Sequence, residues 1–503
     1  MLKKIFLFGI IFYYSLFSQT IQYPSIAVNG SRSSEYAKAY RIAIGDIVTN
    51  IQNYKGEYYT SKPCILAGLV YNKPWTRDAS INVWNGTGLF FPEIAKNTLL
   101  SQTGEDSLGN PIIIGQYWDK IIWSIGAWQY YLFNHDKDFL KQSYNIIVNT
   151  IQKLEKEEFD PEKNLFRGAA VYGDGVAAYP EIYTESENKE NSSSFSGILD
   201  WLTFNSSRAN KTGNGLPMMA LSTNCVYYQA YTILEKMENT LKMKNSHQWK
   251  EKAEKLKLSI IKHFWIDKDK KFRYLIDPFG NSDAQEGMGI SFALLFGIAD
   301  NSIQEAVFQT VKTEPAGIPC VYPSFPRYQV NDSSYGRHSG TVWPHIQGFW
   351  ADASAKKNKY SFFEHEFKNL MKHAVRDNQF VEIYHPLSGL PYGGLQEPHL
   401  NPVTIWFCGE RQTWSATAFL RMILYNILGM NFSEEGIQFT PYLPEDIHSI
   451  QLEDLHYGKA LINLTIEGTG NRIESFEING KNTAAFISCQ SQDSLLIKIK
   501  MEK

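Results

Sequence analysis

The sequence predicts a mainly α-helical protein that ends in a small antiparallel β domain, and three observations carry that prediction. Between about Ser34 and Gly429, apolar residues return at helical spacing in eleven separate segments. After Gly429 the spacing becomes alternation. Ile462, Leu464 and Ile466 take turns with Asn463 and Thr465, and Leu495, Ile497, Ile499 and Met501 with Leu496, Lys498 and Lys500. Asn479-Gly480 lies between these runs and suits a two-residue hairpin turn.

Taken in order, the chain opens on Lys3 and Lys4 followed by an apolar stretch from Ile5 to Phe17 and a small residue, Ser18. That pattern predicts a signal peptide over residues 1–18 and export to the periplasm or outside. The apolar stretch is short of the ~20 residues a membrane span needs. No cysteine follows it, so neither a membrane anchor nor a lipid anchor is expected. A helical domain is then expected over 19–430, with helices at 34–52, 81–99, 116–133, 139–157, 216–243, 246–264, 283–297, 302–313, 343–356, 362–376 and 412–428. In the first, Ser34 reads as the cap, and a twelfth helix can be hidden at an unclear boundary. Two long polar connections, 174–207 and 314–339, are rich in Ser, Asn, Gly and Pro, the kind of loop that carries function. The β domain is expected over 431–503.

Composition narrows the function. At 503 residues with 43% hydrophobic and 20% charged, the chain is neither disordered nor a disulfide-stapled miniprotein. A net charge of −3 without a basic run argues against nucleic acid as a partner. Five scattered cysteines, none in a CxxC pair, give neither a disulfide framework nor a zinc site and read as mostly buried thiols. Aromatic residues are abundant. Ten of the twelve tryptophans fall at 75–128, 201 and 343–414, where the interesting carboxylates also lie. Flat apolar rings suit sugar faces, and they equally suit a large core.

Five segments can carry chemistry. Trp75-Thr76-Arg77-Asp78 precedes a helix and pairs charged hydrogen-bonding groups with an indole, a grip for sugar hydroxyls or a surface salt bridge beside a core Trp. Trp118 and Asp119 with Trp123 place a carboxylate and an indole four apart, so that Asp119 and Trp123 share a helix face. Asp200-Trp201 sets a carboxyl beside an indole, which favours the protonated form a general acid needs, and also fits a structural helix approach. Arg337-His338-Ser339-Gly340-Thr341-Val342-Trp343 offers donors and a stacking face without metal-ligand spacing. Glu382-Ile383-Tyr384-His385-Pro386 and, later, Glu410-Arg411-Gln412-Thr413-Trp414 add two carboxylates, so that with Asp200 the chain holds the pair that glycosidic hydrolysis requires.

Together these motifs resemble the six-hairpin glycosidase superfamily over roughly residues 60–430. The likeness is to the C-terminal glucosidase domain of glycogen-debranching enzymes and to the processing α-glucosidases, with trehalases and α-rhamnosidases further off. That resemblance implies an (α/α)6 six-hairpin barrel with an acidic cleft at one end, and an exported exo-acting hydrolase releasing a terminal α-linked sugar with inversion. It puts the general acid at Asp200 and the general base at Glu382. Trp75, Arg77 and Asp78 fall on its sugar-gripping segment. Trp118, Asp119, Trp123, Trp201, Arg337, His338, Trp343, Glu410 and Trp414 complete the expected substrate site. Trp201 stands where the family has Asn-Ser or Phe-Ser, which leaves Asp174, Glu181 and Glu185 as rival acids. The α-rhamnosidase pattern makes Glu410 the rival base. An inverting pair belongs to the class separated by ~6.5–9.5 Å, with room for a water. No cofactor is expected. A structural calcium is compatible with the chemistry but has no signature here, and a monomer acting on an oligosaccharide or glycoside is expected. A carbohydrate phosphorylase and a non-catalytic sugar-binding protein are the competing classes.

Overall fold

The computed structural model describes residues 21–185, 187, 196–243, 248–397 and 404–502, so the expected signal peptide lies outside the described residues. Helix α1 (Ser33–Thr49) opens on Arg32 with no side-chain cap, which puts Ser34 inside its first turn. The 81–99 segment is two helices rather than one. Helix α2 (Thr76–Asn82) runs through a wide turn at Val83–Thr87 and stops at Phe90, and α3 (Pro92–Leu100) follows. Gly86 turns there at φ +131°, and Pro92 keeps Phe91 out of the helical region. One helix beyond the eleven expected arises from this break, and the short Ile198–Phe204 helix is another.

Helix α4 (Trp123–Asn134) begins after a short 3-10 turn at Lys120–Ile122. Asp119 therefore precedes the helix, and the expectation that it shares a helix face with Trp123 is corrected. Helix α5 (Lys137–Glu158) is capped by Asp136, which accepts a 2.9 Å hydrogen bond from the Phe139 amide. A short α6 (Ile198–Phe204) precedes α7 (Leu221–Thr240), which starts late because Met219–Ala220 pairs with Leu275–Ile276. Then come α8 (Trp249–Phe264), α9 (Gly287–Leu295), α10 (Asn301–Thr310), α11 (Pro344–Ala355), α12 (Tyr360–Asp377) and α13 (Thr413–Arg421), the last continuing through Met422–Ile427.

Burial sorts these helices into two layers. Every residue of α2, α11 and α13 is buried, whereas α5 and α12 bury one face. Helix α2 packs on α4, α4 on α7, α7 on α9, α9 on α11, α11 on α13, and α13 returns to α2. Helices α1, α3, α5, α8 and α12 each lie against a neighbour in that ring. Of the cysteines, Cys64, Cys225 and Cys320 are buried and Cys408 and Cys489 partly so, all as free thiols.

The terminal sheet contains β1 (Ser25–Asn29), β2 (Ser449–Tyr457), β3 (Ala460–Glu467), β4 (Ile473–Ile478), β5 (Lys481–Asn482) and β6 (Ser494–Met501). Its order is β1-β2-β3-β6-β4-β5. Asn479 and Gly480 make the β4–β5 turn at φ +51° and +75°, the backbone a hairpin of this length demands. The expected all-antiparallel domain needs correcting, because β6 slots between β3 and β4 and runs parallel to β3. Strand β1, from the other end of the chain, pairs antiparallel with β2. Alternate residues of β3 and β6 face one core shared with α1, α12 and α13.

The far ends of the inner helices are held by a buried ion pair. Arg421 donates to both Asp352 and Asn85, and Asn426 donates to Asp352 at 3.0 Å. Asp352→Ala would strand a buried guanidinium, so the expected cost is about 3–5 kcal/mol. Urea denaturation should show it as a lower midpoint with an unchanged slope.

Candidate active site

The starts of the inner helices, and the loops leading into them, converge on one cavity of about 330 Å³. Its floor is built before and within α2. Trp75 takes φ +52°, an uncommon backbone for a non-glycine residue, and so aims the first turn of α2 inward. Arg77 lies buried, donating to Asp119 at 2.7 Å, the Val171 carbonyl at 3.0 Å and Gln116 at 3.2 Å, with Asp174 at 3.5 Å. Burial works against its charge, but Asp119, Asp174 and Asp78 outweigh that and hold it protonated. Asp78 lines the cavity with no hydrogen-bond partner for its carboxylate among the described residues. Burial, reinforced by Glu382, Asp174 and Asp119 and opposed by Arg77, lifts it to about 8.

Glu382 faces this floor from the loop after α12. Its Oε1 accepts from the Tyr71 hydroxyl at 2.7 Å, and its Oε2 from Arg337 at 2.8 Å and the Gly409 amide at 3.0 Å. The segment is positioned by backbone pairing of Val342 with Tyr384 and of Glu382 with Gly409. Arg337 spends its other nitrogen on the carbonyls of Gly393 and Phe407, at 2.9 and 2.8 Å. Trp343, buried, donates to the Arg337 carbonyl at 2.8 Å and stacks on His338. His338 lies 3.5 Å from Asp174, and burial pushes its imidazole down to about 3, so it faces Asp174 neutral. Trp414 also lines the cavity, with the Arg77 guanidinium 5.6 Å above its ring.

Of the expected site residues, the structure brings Trp75, Arg77, Asp78, Arg337, His338, Trp343, Glu382 and Trp414 together around the cavity. Asp119 sits behind it, as the anchor of Arg77. Trp118, Trp123 and Trp201 are fully buried away from it, which corrects their expected contact with substrate. Trp118 donates to the Ala170 carbonyl and Trp123 to that of Leu99, while Trp201 packs on Tyr183 and Phe279. Glu410 is exposed outside the cavity. Asp200 sits at the rim. Its Oδ2 accepts from the Gly197 amide at 3.1 Å, and Ser196, Gly197 and Leu199, but not Asp200, line the mouth. Of its rivals, Asp174 lines the cavity, whereas Glu181 and Glu185 point to Arg327 and Arg208 on the outside.

Sequence reasoning missed Tyr71, Tyr172, Gln396, Trp406 and Phe407, which all line the cavity. Gln396 lies in a two-residue strand and the others in irregular segments, all too short for a periodicity. The clustering of Trp406 with Trp414 in an otherwise polar stretch was the one available signal. Among the described residues no group of three or more His, Cys, Asp and Glu side chains is placed to hold a metal ion. No described helix is long and apolar enough to cross a membrane.

Comparison with known proteins bears on the family and the fold. The family described as mannosylglycerate hydrolase MGH1-like glycoside hydrolase domain matches residues 121–415. No curated protein matches the chain in sequence. Among solved structures, a GH63 mannosylglycerate hydrolase from Thermus thermophilus, in complex with Tris and D-glycerate, superimposes with a TM-score of 0.57. It is 14% identical, and the match covers 76% of this chain and 99% of that one. A structure described as a sialidase gives 0.63 at 15% identity, covering 93% of this chain and 41% of that one. A GH78 rhamnosidase from Bacillus sp. GL1 gives 0.55 at 11%, covering 95% and 44%. At these identities the likenesses establish the fold, in line with the six-hairpin resemblance.

The raised Asp78 carboxyl has a thermodynamic consequence. Between its unfolded value near 4 and its folded value of about 8, the folded state keeps a proton that the unfolded state has lost. Its contribution to stability is thus complete below pH ~4 and fades as pH rises towards 8, by up to about 1.4 kcal/mol per pH unit. Asp78→Asn removes that slope. Urea midpoints measured from pH 5 to 9 should show the variant gaining on the wild type as pH rises.

Proposed function

This chain belongs to the mannosylglycerate hydrolase MGH1-like glycoside hydrolase family, and from that premise we propose that it removes one terminal, α-linked sugar from a short glycoside with inversion of configuration. The observation that carries this is Glu382. It is a buried carboxylate lining the cavity, oriented by Tyr71, Arg337 and the Gly409 amide, with a hydrogen-bonding floor of Arg77 and Asp78 beside it. A volume of about 330 Å³ lies at the low end of the ~300–1,000 Å³ range of ligand pockets, which suits a sugar and a small leaving group better than a polysaccharide chain. Mannosylglycerate, the compound in the name of the Thermus relative, is a glycoside of that small kind. The closed cycle of contacts α2-α4-α7-α9-α11-α13 supports reading the helical part as an (α/α)6 six-hairpin barrel. Export with cleavage before Gln19 remains part of this proposal.

In the mechanism, Arg77, Asp78 and the indoles of Trp343 and Trp414 hold the ring, while Glu382 takes a proton from a water attacking the anomeric carbon. The C–O bond to the leaving group breaks as the water oxygen bonds from the opposite face, and an acid gives the departing oxygen a proton. Asp200 is that acid. It stands at the rim beside Gly197 and carries no ion pair among the described residues, so it is free to turn from the Gly197 amide to a bound substrate. One observation favours a second donor: the Asp174 carboxylate lines the cavity itself, held by Arg77 and His338 at 3.5 Å.

Substitution separates these roles. Glu382→Gln should lose about 10²–10⁴-fold in kcat on ordinary glycosides and on glycosyl fluorides alike, because water must be activated whatever leaves. Asp200→Asn should lose as much on glycosides while sparing fluorides, whose departure needs little protonation. If Asp174→Asn shows that pattern instead, the acid is Asp174. NMR of the first-formed product should show the anomer opposite to the substrate's, and a retained anomer sinks the inverting mechanism.

A further inference from the structure

The mouth of the cavity differs in chemistry from its floor. Trp406 and Phe407 line one side, their rings stacked with centroids 6.3 Å apart and planes 28° apart. Phe407 keeps 54% of its surface exposed, and Leu199 across the loop 40%. These side chains are apolar and open to solvent, yet their backbone is fastened down. The Trp406 amide donates to the Gly394 carbonyl at 2.9 Å, and the Phe407 carbonyl accepts from Arg337 at 2.8 Å. The Arg337 guanidinium also lies 5.8 Å from the Trp406 ring and 5.4 Å from that of Phe407. One cation thus connects the aromatic pair to Glu382. A Cβ at Gly393 would lie 1.8 Å from the Trp406 carbonyl oxygen, so the backbone there has no room for a side chain.

Charge at the mouth is equally lopsided. Among the described residues lining the cavity, the cations are Arg77 and Arg337, each engaged by a carboxylate, Asp119 at 2.7 Å and Glu382 at 2.8 Å. Asp174, its side chain 41% exposed, stands near the opening with His338, which is neutral. Among the described lining residues an anionic leaving group would meet Asp174 and no unengaged cation, and desolvating its charge against them is costly. A flat, uncharged group would cover Trp406 and Phe407 and release the water on them.

Resting on the hydrolase reading above, we propose that Trp406 and Phe407 form the leaving-group subsite, and that the leaving group is uncharged with a flat apolar face rather than a carboxylate-bearing acid. The two sources of such a face are a second sugar ring and an aryl aglycone. The test uses the full chain and one accepted glycone on four leaving groups: fluoride, a second hexose, an aryl group and glycerate. Wild-type kcat/KM should be at least about tenfold higher on the hexose or aryl substrate than on the glyceryl one, and whichever of the two leads identifies the source. Trp406→Ala and Phe407→Ala should lower kcat/KM on the favoured substrate at least tenfold more than on the fluoride, which has no face to stack. Trp406→Phe should recover most of that loss because it keeps a ring. A wild type that prefers the glyceryl glycoside, or alanine variants that lose equally on fluoride and on the bulky substrates, would overturn the proposal. Failure of the wild type on every substrate, fluoride included, would instead count against the hydrolase reading.

Discussion

A buried guanidinium has five N–H donors to satisfy, and Arg337 meets that demand by joining parts of the chain that are otherwise separate. It bonds Glu382 from the loop after α12 and the carbonyls of Gly393 and Phe407 further on, while its own carbonyl accepts from Trp343 at the entry to α11. The position of the carboxylate, the Trp343 side of the cavity and the aromatic edge of its mouth are therefore not independent. A change that moved Arg337 would shift all three, which explains why so irregular a stretch of chain holds a defined geometry. Arg77 plays the matching part on the other wall, tying α2 to Asp119 and to the 171–174 loop.

The cavity lies at the N-terminal ends of the inner helices. Trp75 to Asp78 begin α2, Trp343 precedes α11, and Gln412 to Trp414 begin α13. Helix N-termini carry partial positive charge, and here they face Asp78, Asp174 and Glu382. A site crowded with carboxylates is easier to assemble at that end than at the other. The opposite ends carry Arg421 and Lys356, cations suited to the negative ends of the dipoles. The two ends of the helical layer are thus chemically polarised by the direction in which its helices run.

How much of this was legible in the sequence follows from the same physics. Long one-faced helices such as α5 and α12 were plain, because solvent on one side imposes a period. The break at Gly86 and Pro92 was not, because α2 and the wide turn after it are buried all round and show no polar face to mark where they end. Trp75, Arg77 and Asp78 could be read because three chemically distinct groups are adjacent in sequence. Trp118, Trp123 and Trp201 misled for the opposite reason: a tryptophan packed in a core, two of these three donating to a backbone carbonyl, looks in sequence like one waiting for a sugar. Tyr71 left no trace, since its role is a single hydrogen bond to a residue more than three hundred positions away. The parallel placement of β6 was hidden because alternation reports which face a strand buries and is silent about its neighbour's direction.

Strand β1 pairs with a partner 428 positions further along, Ser25 opposite Glu453. On a ribosome it therefore emerges long before the strand it needs. Until β2 appears, the segment has no sheet to join, while the helices between them, whose contacts include many close in sequence, can already collapse. Completion of the sheet thereby reports that synthesis has passed the whole helical layer. A product released early would carry an unpaired β-forming segment, a template for pairing with another chain. The pairing that closes the fold in space therefore also orders its assembly in time.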